Sequence, residues 1–154
     1  MSIFPGWPAL RAWVIVPGVN DNLRELLATG SGVVTRSEAL AVAPAHMLNY
    51  ALLTGQLVRL HRAVYADSQR LDRRTRLRAA VRYGQERAAL SHLSALEVLG
   101  LRAGEAEEPI HLTTAPATAF AGTGLVVHRA RGFVMSPPVV IRFASGMRRH
   151  WPKL

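Results

Sequence analysis

Residues Thr35 to Ala66, TRSEALAVAPAHMLNYALLTGQLVRLHRAVYA, constrain this chain more than any other stretch, because their local signals read in one order: helix, tight turn, helix, β-hairpin. Thr35 followed three residues later by Glu38 is a capping box, in which each side chain satisfies a backbone donor left orphaned at a helix start. Pro44 stops that helix, since the residue before a proline is pushed out of the helical region. A second helix, Ala45 to Thr54, ends at Gly55, the residue type that best tolerates a left-handed C-cap. Two short helices joined this tightly form a helix-turn-helix pattern.

The second helix separates into two faces. Met47, Leu48, Ala51 and Leu52 have the spacing of a buried stripe, while His46, Asn49, Tyr50 and Leu53 fall at i, i+3, i+4 and i+7 on the other side. Three of those four carry hydrogen-bonding groups suited to base edges or phosphates: asparagine can pair with adenine, and histidine and tyrosine can donate in the major groove or to the backbone. An ordinary amphipathic helix with a solvated polar face shares this pattern. The hairpin that follows distinguishes them. Leu57 to Leu60 and Ala63 to Ala66 are short β-type runs in which Val58 and Leu60 alternate with Arg59 and His61, with Arg62 at the turn. Cations on a hairpin directly after a reading helix stand like a wing, within reach of a flanking phosphate or minor groove. The turn lacks the glycine or asparagine of the strongest hairpin signal.

Charge agrees with an acidic partner. The chain has 19 Lys+Arg against 10 Asp+Glu, a formal charge of +9. All the cations but Lys153 are arginine, the residue best suited to bidentate phosphate and guanine contacts. Between Arg59 and Arg78 seven arginines face two aspartates, a density that favours a polyanion footprint over a uniformly solvated surface. Arginine-rich composition also accompanies GC-rich genomes, so charge alone does not identify nucleic acid.

The 154 residues can hold one domain or two small ones. With no cysteine there is neither a disulfide framework nor a thiolate metal site. The apolar run Ala12 to Val19 is broken by Pro17 and too short to span a bilayer, and no charged n-region or small-residue cleavage pattern marks a signal peptide. A cytoplasmic protein with no membrane association is the expectation.

Residues 1–19, with Pro5, Pro8 and Pro17, read as an arm. Asn20 or Asp21 caps a first helix carrying Leu23, Leu26 and Leu27 on one face and ending near Gly30 and Gly32, and Val33 and Val34 form a short strand that pairs with the hairpin. After Ala66 a second unit begins. Asp72 to Arg87 reads as a helix burying Leu77, Ala80 and Val81, with Arg73, Arg74, Arg76 and Arg78 mostly outward. Ser91 caps a helix, Leu93 to Leu99, closed by Gly100. Glu105, Glu107 and Glu108 read as a solvated loop, and Ile110 to Thr114 and Leu125 to Arg129 as two strands. The expected class is α+β: an N-terminal winged helix-turn-helix over 20–66, then a small α+β domain over 67–132, with a divergent basic tail over 133–154.

Catalytic readings are weak, and no enzyme is expected. The six histidines (His46, His61, His92, His111, His128, His150) show no i, i+4 pair and no carboxylate at ligand spacing, so neither metal nor cofactor is expected. Ser91 beside His92 is better explained as a cap than as a nucleophile pair. The glycine-rich Thr29 to Gly32 lacks the lysine of a phosphate loop.

The order and spacing of GVVTRSEALA (Gly32 to Ala41), LVRLHRAVYA (Leu57 to Ala66), SHLSALEVLGL (Ser91 to Leu101), PIHLTTA (Pro109 to Ala115) and LVVHRAR (Leu125 to Arg131) together resemble the AbiEi-type antitoxins of AbiE toxin–antitoxin systems, over about Asn20 to Gly132. The resemblance implies a winged-helix protein that binds inverted repeats in its own promoter and represses its operon. It also implies a functional partner, a nucleotidyltransferase-like toxin, that need not be bound directly. Matched residue by residue, it puts DNA contact on the exposed face of Ala45 to Thr54, with His46, Asn49 and Tyr50, and on the wing around Arg59, His61 and Arg62; Arg36, in the first of the matched segments, joins them. After Gly132 the pattern departs. A family member continues into a leucine-rich helix and a long C-terminal domain linked to antitoxin activity, where this chain has FVMSPPVVIRFASGMRRHWPKL, so DNA binding is expected before toxin neutralisation.

Overall fold

The computed structural model describes residues 20–118 and 121–133, so the arm expected at 1–19 and all of the expected tail after Phe133 lie outside it. Asn20 accepts a hydrogen bond from the Leu23 backbone through Oδ1 at 2.7 Å and starts α1 (Asp21–Thr29). β1 (Val33–Thr35) then runs directly into α2 (Arg36–Val42), whose start is held by both halves of the Thr35–Glu38 capping box. Ala43 and Pro44 are extended and make the two-residue joint to α3 (Ala45–Leu53). Past the Thr54 cap, Gly55 takes φ +72, the left-handed conformation in which a side chain would be strained.

The hairpin forms as β2 (Leu57–His61) and β3 (Val64–Asp67), and β1 pairs with β3, giving an antiparallel sheet in the order β1-β3-β2. Ala63, at φ +60, supplies the positive φ that glycine or asparagine would usually bring to the turn, and a register shift between Arg59 and His61 absorbs the mismatch. Pairing of Val33 with Ala66 and Val34 with Tyr65 puts alternate residues on opposite faces. Val34, Tyr65 and Leu57 join Leu23, Leu27, Ala39, Leu48 and Ala51 of the three helices in one core. Leu23 and Leu48 are fully buried there, each contributing about 1.5–3 kcal/mol, enough to decide how short helices of weak intrinsic stability sit on the sheet.

The opposite face, Val33, Val64 and Ala66, is covered by Ala79 of α4 (Arg73–Gly84), which Asp72 caps. This is why β3 is buried on both sides. The other side of α4 packs Leu77 and Ala80 against a second sheet made of β4 (Ala88–Leu90), β5 (Ile110–Thr114) and β6 (Leu125–Arg129), in that order. β4 pairs antiparallel with β5, while β5 and β6 are parallel. α5 (His92–Val98) connects β4 to the loop before β5, and Gly100 follows it at φ +73. Among the described residues the architecture is therefore mixed α+β, with five α-helices and two small sheets.

Five sequence expectations change here. Val81 is 37% exposed and Ala79 is buried instead, because a helix clasped between two sheets buries two stripes, whereas the expected pattern assumed one. Arg73 does not point outward: its side chain is 12% exposed, drawn inward by Glu97. The acidic loop is not simply solvated, since Glu108 pairs with Arg102 and its carbonyl accepts a hydrogen bond from Arg73. Ser91 does occupy the N-cap of α5, but its hydroxyl caps no backbone donor. The expected boundary after Ala66 falls one residue before the end of β3.

The capping box also reaches across the fold, because Glu38 pairs with Arg82 of α4. Burial alone pushes the Glu38 carboxyl up, but the hydrogen bonds from Thr35 and the Arg82 charge outweigh it, and the net shift is below the ordinary 4.5. A carboxyl depressed in the folded state binds fewer protons than in the unfolded chain, so its contribution is complete above 4.5 and is lost as pH falls through the lower folded value. The stability advantage of the wild type over Glu38→Gln should accordingly be largest near neutrality and close on acidification. Urea midpoints compared from pH 7 downward measure it, and a gap independent of pH would exclude the role assigned to this carboxylate.

Candidate nucleic-acid interface

α3 buries Leu48 and Ala51 against the first sheet, which turns His46 and Asn49 to solvent, leaves Tyr50 half-buried, and exposes Leu53 by 87%. Among the described residues, the side chains of His46, Asn49 and Tyr50 make no hydrogen bond. The joint at Ala43–Pro44 is steadied by Asn20, whose Nδ2 donates to the Val42 carbonyl at 3.4 Å.

The hairpin turn and the start of α2 meet through one backbone bond, Arg36 N–H donating to the Ala63 carbonyl at 2.8 Å. That bond brings Arg36 beside the turn that carries Arg62. Arg36, Arg59 and Arg62 are all exposed, and their guanidinium groups have no ion pair or hydrogen bond among the described residues. Arg59 and Arg62 also line an open cleft of about 310 Å³ with His61, Tyr83 and Ala121 to Thr123.

His61 differs from its neighbours on the hairpin. It is half-buried and stacks on Tyr83, with ring centroids 5.1 Å apart and an interplanar angle of 16°. Burial pushes its pKa below the ordinary value, which favours a neutral packed ring over a wing cation. The remaining arginines of the 59–78 segment diverge. Arg70, Arg74 and Arg78 line a second open cleft of about 720 Å³ with Ser31, Ser68 and Asp72. Arg73 and Arg76 turn toward the acidic side and meet Glu97 at 2.8 Å and Glu107 at 3.6 Å. Carboxylates thus neutralise much of the charge on α4, whereas the hairpin corner keeps its surplus.

Sequence spacing missed one grouping. His92 at the start of α5, His111 in β5 and His128 in β6 come together with one donor nitrogen from each within 4.8 Å of the others. Burial and the neighbouring His128, His92 and Arg73 push His111 down, and Glu108 opposes them. Residues 17 or more positions apart carry no local metal-ligand spacing. Only the strand pairing, which sets alternate residues of β5 and β6 on one face, brings two of them together.

No protein-family model matches this chain, and no curated protein matches it. Among the described residues no helix is long and apolar enough to cross a membrane.

Proposed function

We propose that this protein is a sequence-specific binder of double-stranded DNA, built as a winged helix-turn-helix, that represses its own promoter in the manner of the AbiEi-type antitoxins it resembles. The observation that supports this reading is a set of polar and cationic side chains left uncommitted on α3 and around the hairpin turn. His46, Asn49 and Tyr50 form an uncommitted polar face on α3, and the unpaired cations Arg59 and Arg62 on the hairpin are joined by Arg36 at the start of α2, which the backbone bond to Ala63 ties to the turn. In this reading α3 enters the major groove with Asn49 directed at adenine, while the hairpin lies along the flanking backbone. His61 supports the hairpin from behind through Tyr83. The functional partner the resemblance implies is a nucleotidyltransferase-like toxin, with no requirement for direct contact, and the reading rests on repression and not on toxin neutralisation.

Footprinting and gel-shift titration on the protein's own promoter test the proposal. Protection of an inverted repeat, with random duplex bound far more weakly, is the expected result. The hairpin cations position the protein without reading sequence, so Arg59→Ala or Arg62→Ala should weaken binding to all duplexes alike and reduce the salt slope by about one unit for each phosphate no longer neutralised. An unchanged slope would mean that the hairpin does not touch the DNA backbone.

One observation favours a second reading, a protein-interaction module. Leu93, Leu96, Leu99 and Leu101 are exposed apolar side chains on and just after α5. Binding through that surface would survive added salt, where phosphate contacts would not.

A further inference from the structure

We propose that His92, His111 and His128 bind one divalent cation of the zinc class through three imidazole nitrogens, leaving a fourth coordination position open. The proposal stands apart from DNA binding and rests on how the fold delivers the three rings. In the parallel β5–β6 pair, His111 lies opposite Val126 and Thr113 opposite His128, so His111 and His128 share one face two residues apart. His111 Nδ1 and His128 Nε2 already stand 2.9 Å from each other. The third ring is brought in by a double tie to the same residue. The Ser91 backbone N–H donates to the His111 carbonyl at 3.0 Å, and the His111 backbone N–H donates to the buried Ser94 hydroxyl at 2.9 Å. The start of α5 is thereby fastened over β5, and His92 stacks on His128 with centroids 3.8 Å apart.

The chemistry of the donors selects the ion. Zinc-class ions take imidazole nitrogen at about 2.0–2.1 Å, which puts tetrahedral donors about 3.3–3.4 Å apart. Nitrogens within 4.8 Å reach that spacing by small ring rotations, and the exposed His92 is the freest to make them. With no carboxylate in the set, zinc, nickel, cobalt or copper is favoured over magnesium or calcium. The Ser91 hydroxyl lies 3.0 Å from His92 Nδ1, so that nitrogen has an outer partner and Nε2 is left as ligand. Three imidazoles packed together have only one ring-to-ring hydrogen bond among them. A cation at their centre engages the remaining lone pairs at once.

Full-length protein stripped of metal should bind one Zn²⁺ per chain in competition with a chromophoric chelator, and excess Mg²⁺ should not displace it. Co²⁺ in its place should give the intense visible bands of a tetrahedral site. His92→Asn is the informative variant, because asparagine tolerates the left-handed φ of +47 that His92 adopts and removes only the ligand. It should weaken zinc binding more than about 100-fold, as should His128→Gln, whereas Ser91→Ala should cost the roughly 10–100-fold of an outer partner. Circular dichroism of the metal-free variants verifies that they fold. Full zinc affinity in both ligand variants, or wild-type protein that binds zinc no more tightly than magnesium, would overturn the proposal.

Discussion

Glu97→Ala should destabilise this protein by about 3–5 kcal/mol, the range for a buried ion pair broken on one side. The Glu97 side chain is 4% exposed and engages Arg73 as a fork: Nε donates to one carboxylate oxygen at 2.9 Å and Nη2 to the other at 2.8 Å. A second guanidinium depends on it as well. Arg102 Nη1 lies 3.7 Å from the same carboxylate and, buried, has no hydrogen bond of its own. Deleting the carboxylate leaves the largely buried Arg73 with only the Glu108 carbonyl to accept its hydrogen bonds and Arg102 with Glu108 alone, and incomplete compensation of the Arg73 charge makes the loss large. Gly104 gives a second route to the same end, because a Cβ there would stand 2.0 Å from Glu97 Oε2 and would push the carboxylate out of its fork with Arg73. Urea denaturation of Glu97→Ala and Gly104→Ala, with an unchanged m-value, measures the cost. A loss below about 1 kcal/mol in both, the range of an exposed pair, would show that water relieves the guanidiniums.

Asn49→Ala and Tyr50→Ala should each reduce the preference for the native promoter over random duplex by about 1–3 kcal/mol, the worth of a good base contact. Both side chains lie outside the core stripe of Leu48 and Ala51, Asn49 exposed and Tyr50 half-buried, so truncation at Asn49 removes recognition without opening a cavity. For the exposed Asn49 stability should change by less than about 0.5 kcal/mol, as for surface positions generally, whereas the half-buried Tyr50 also gives up ring packing, so both variants are titrated where they are fully folded. Gel-shift titration on the two DNAs separates the outcomes: equal losses on both would assign α3 to the DNA backbone, and no loss on either would end the reading-helix proposal.

Much of the fold is legible in the sequence because its signals are local. The Asn20 cap, the Thr35–Glu38 box, Pro44 and Gly55 set helix ends within a residue or two, and the β-type runs Ile110–Thr114 and Leu125–Arg129 match both strands at their observed bounds, whereas the helix read to Arg87 stops at Gly84. What fails to show depends on distant partners. β4 is three residues long, too short for any periodicity, and exists because β5 lies beside it. The inward turn of Arg73 requires Glu97, which is 24 residues away. His61 reads as one more wing cation because the ring it stacks on, Tyr83, comes from α4. The histidine trio is the extreme case, assembled by strand pairing and a serine clamp that leave no trace in spacing.

Ala79 and Ala80 are adjacent in sequence yet belong to different cores, one beneath the hairpin sheet and one beneath the β5–β6 sheet. Two small side chains let the α4 backbone approach both sheets closely, covering the hairpin sheet through Ala79 and, with Val98 of α5 beside it, the second sheet through Leu77 and Ala80. Opening either core therefore strips α4 of the partner that orders it, and the other core loses its lid. Amide protons in both sheets should consequently exchange through a single shared opening, as one cooperative unit and not as two modules joined by a linker.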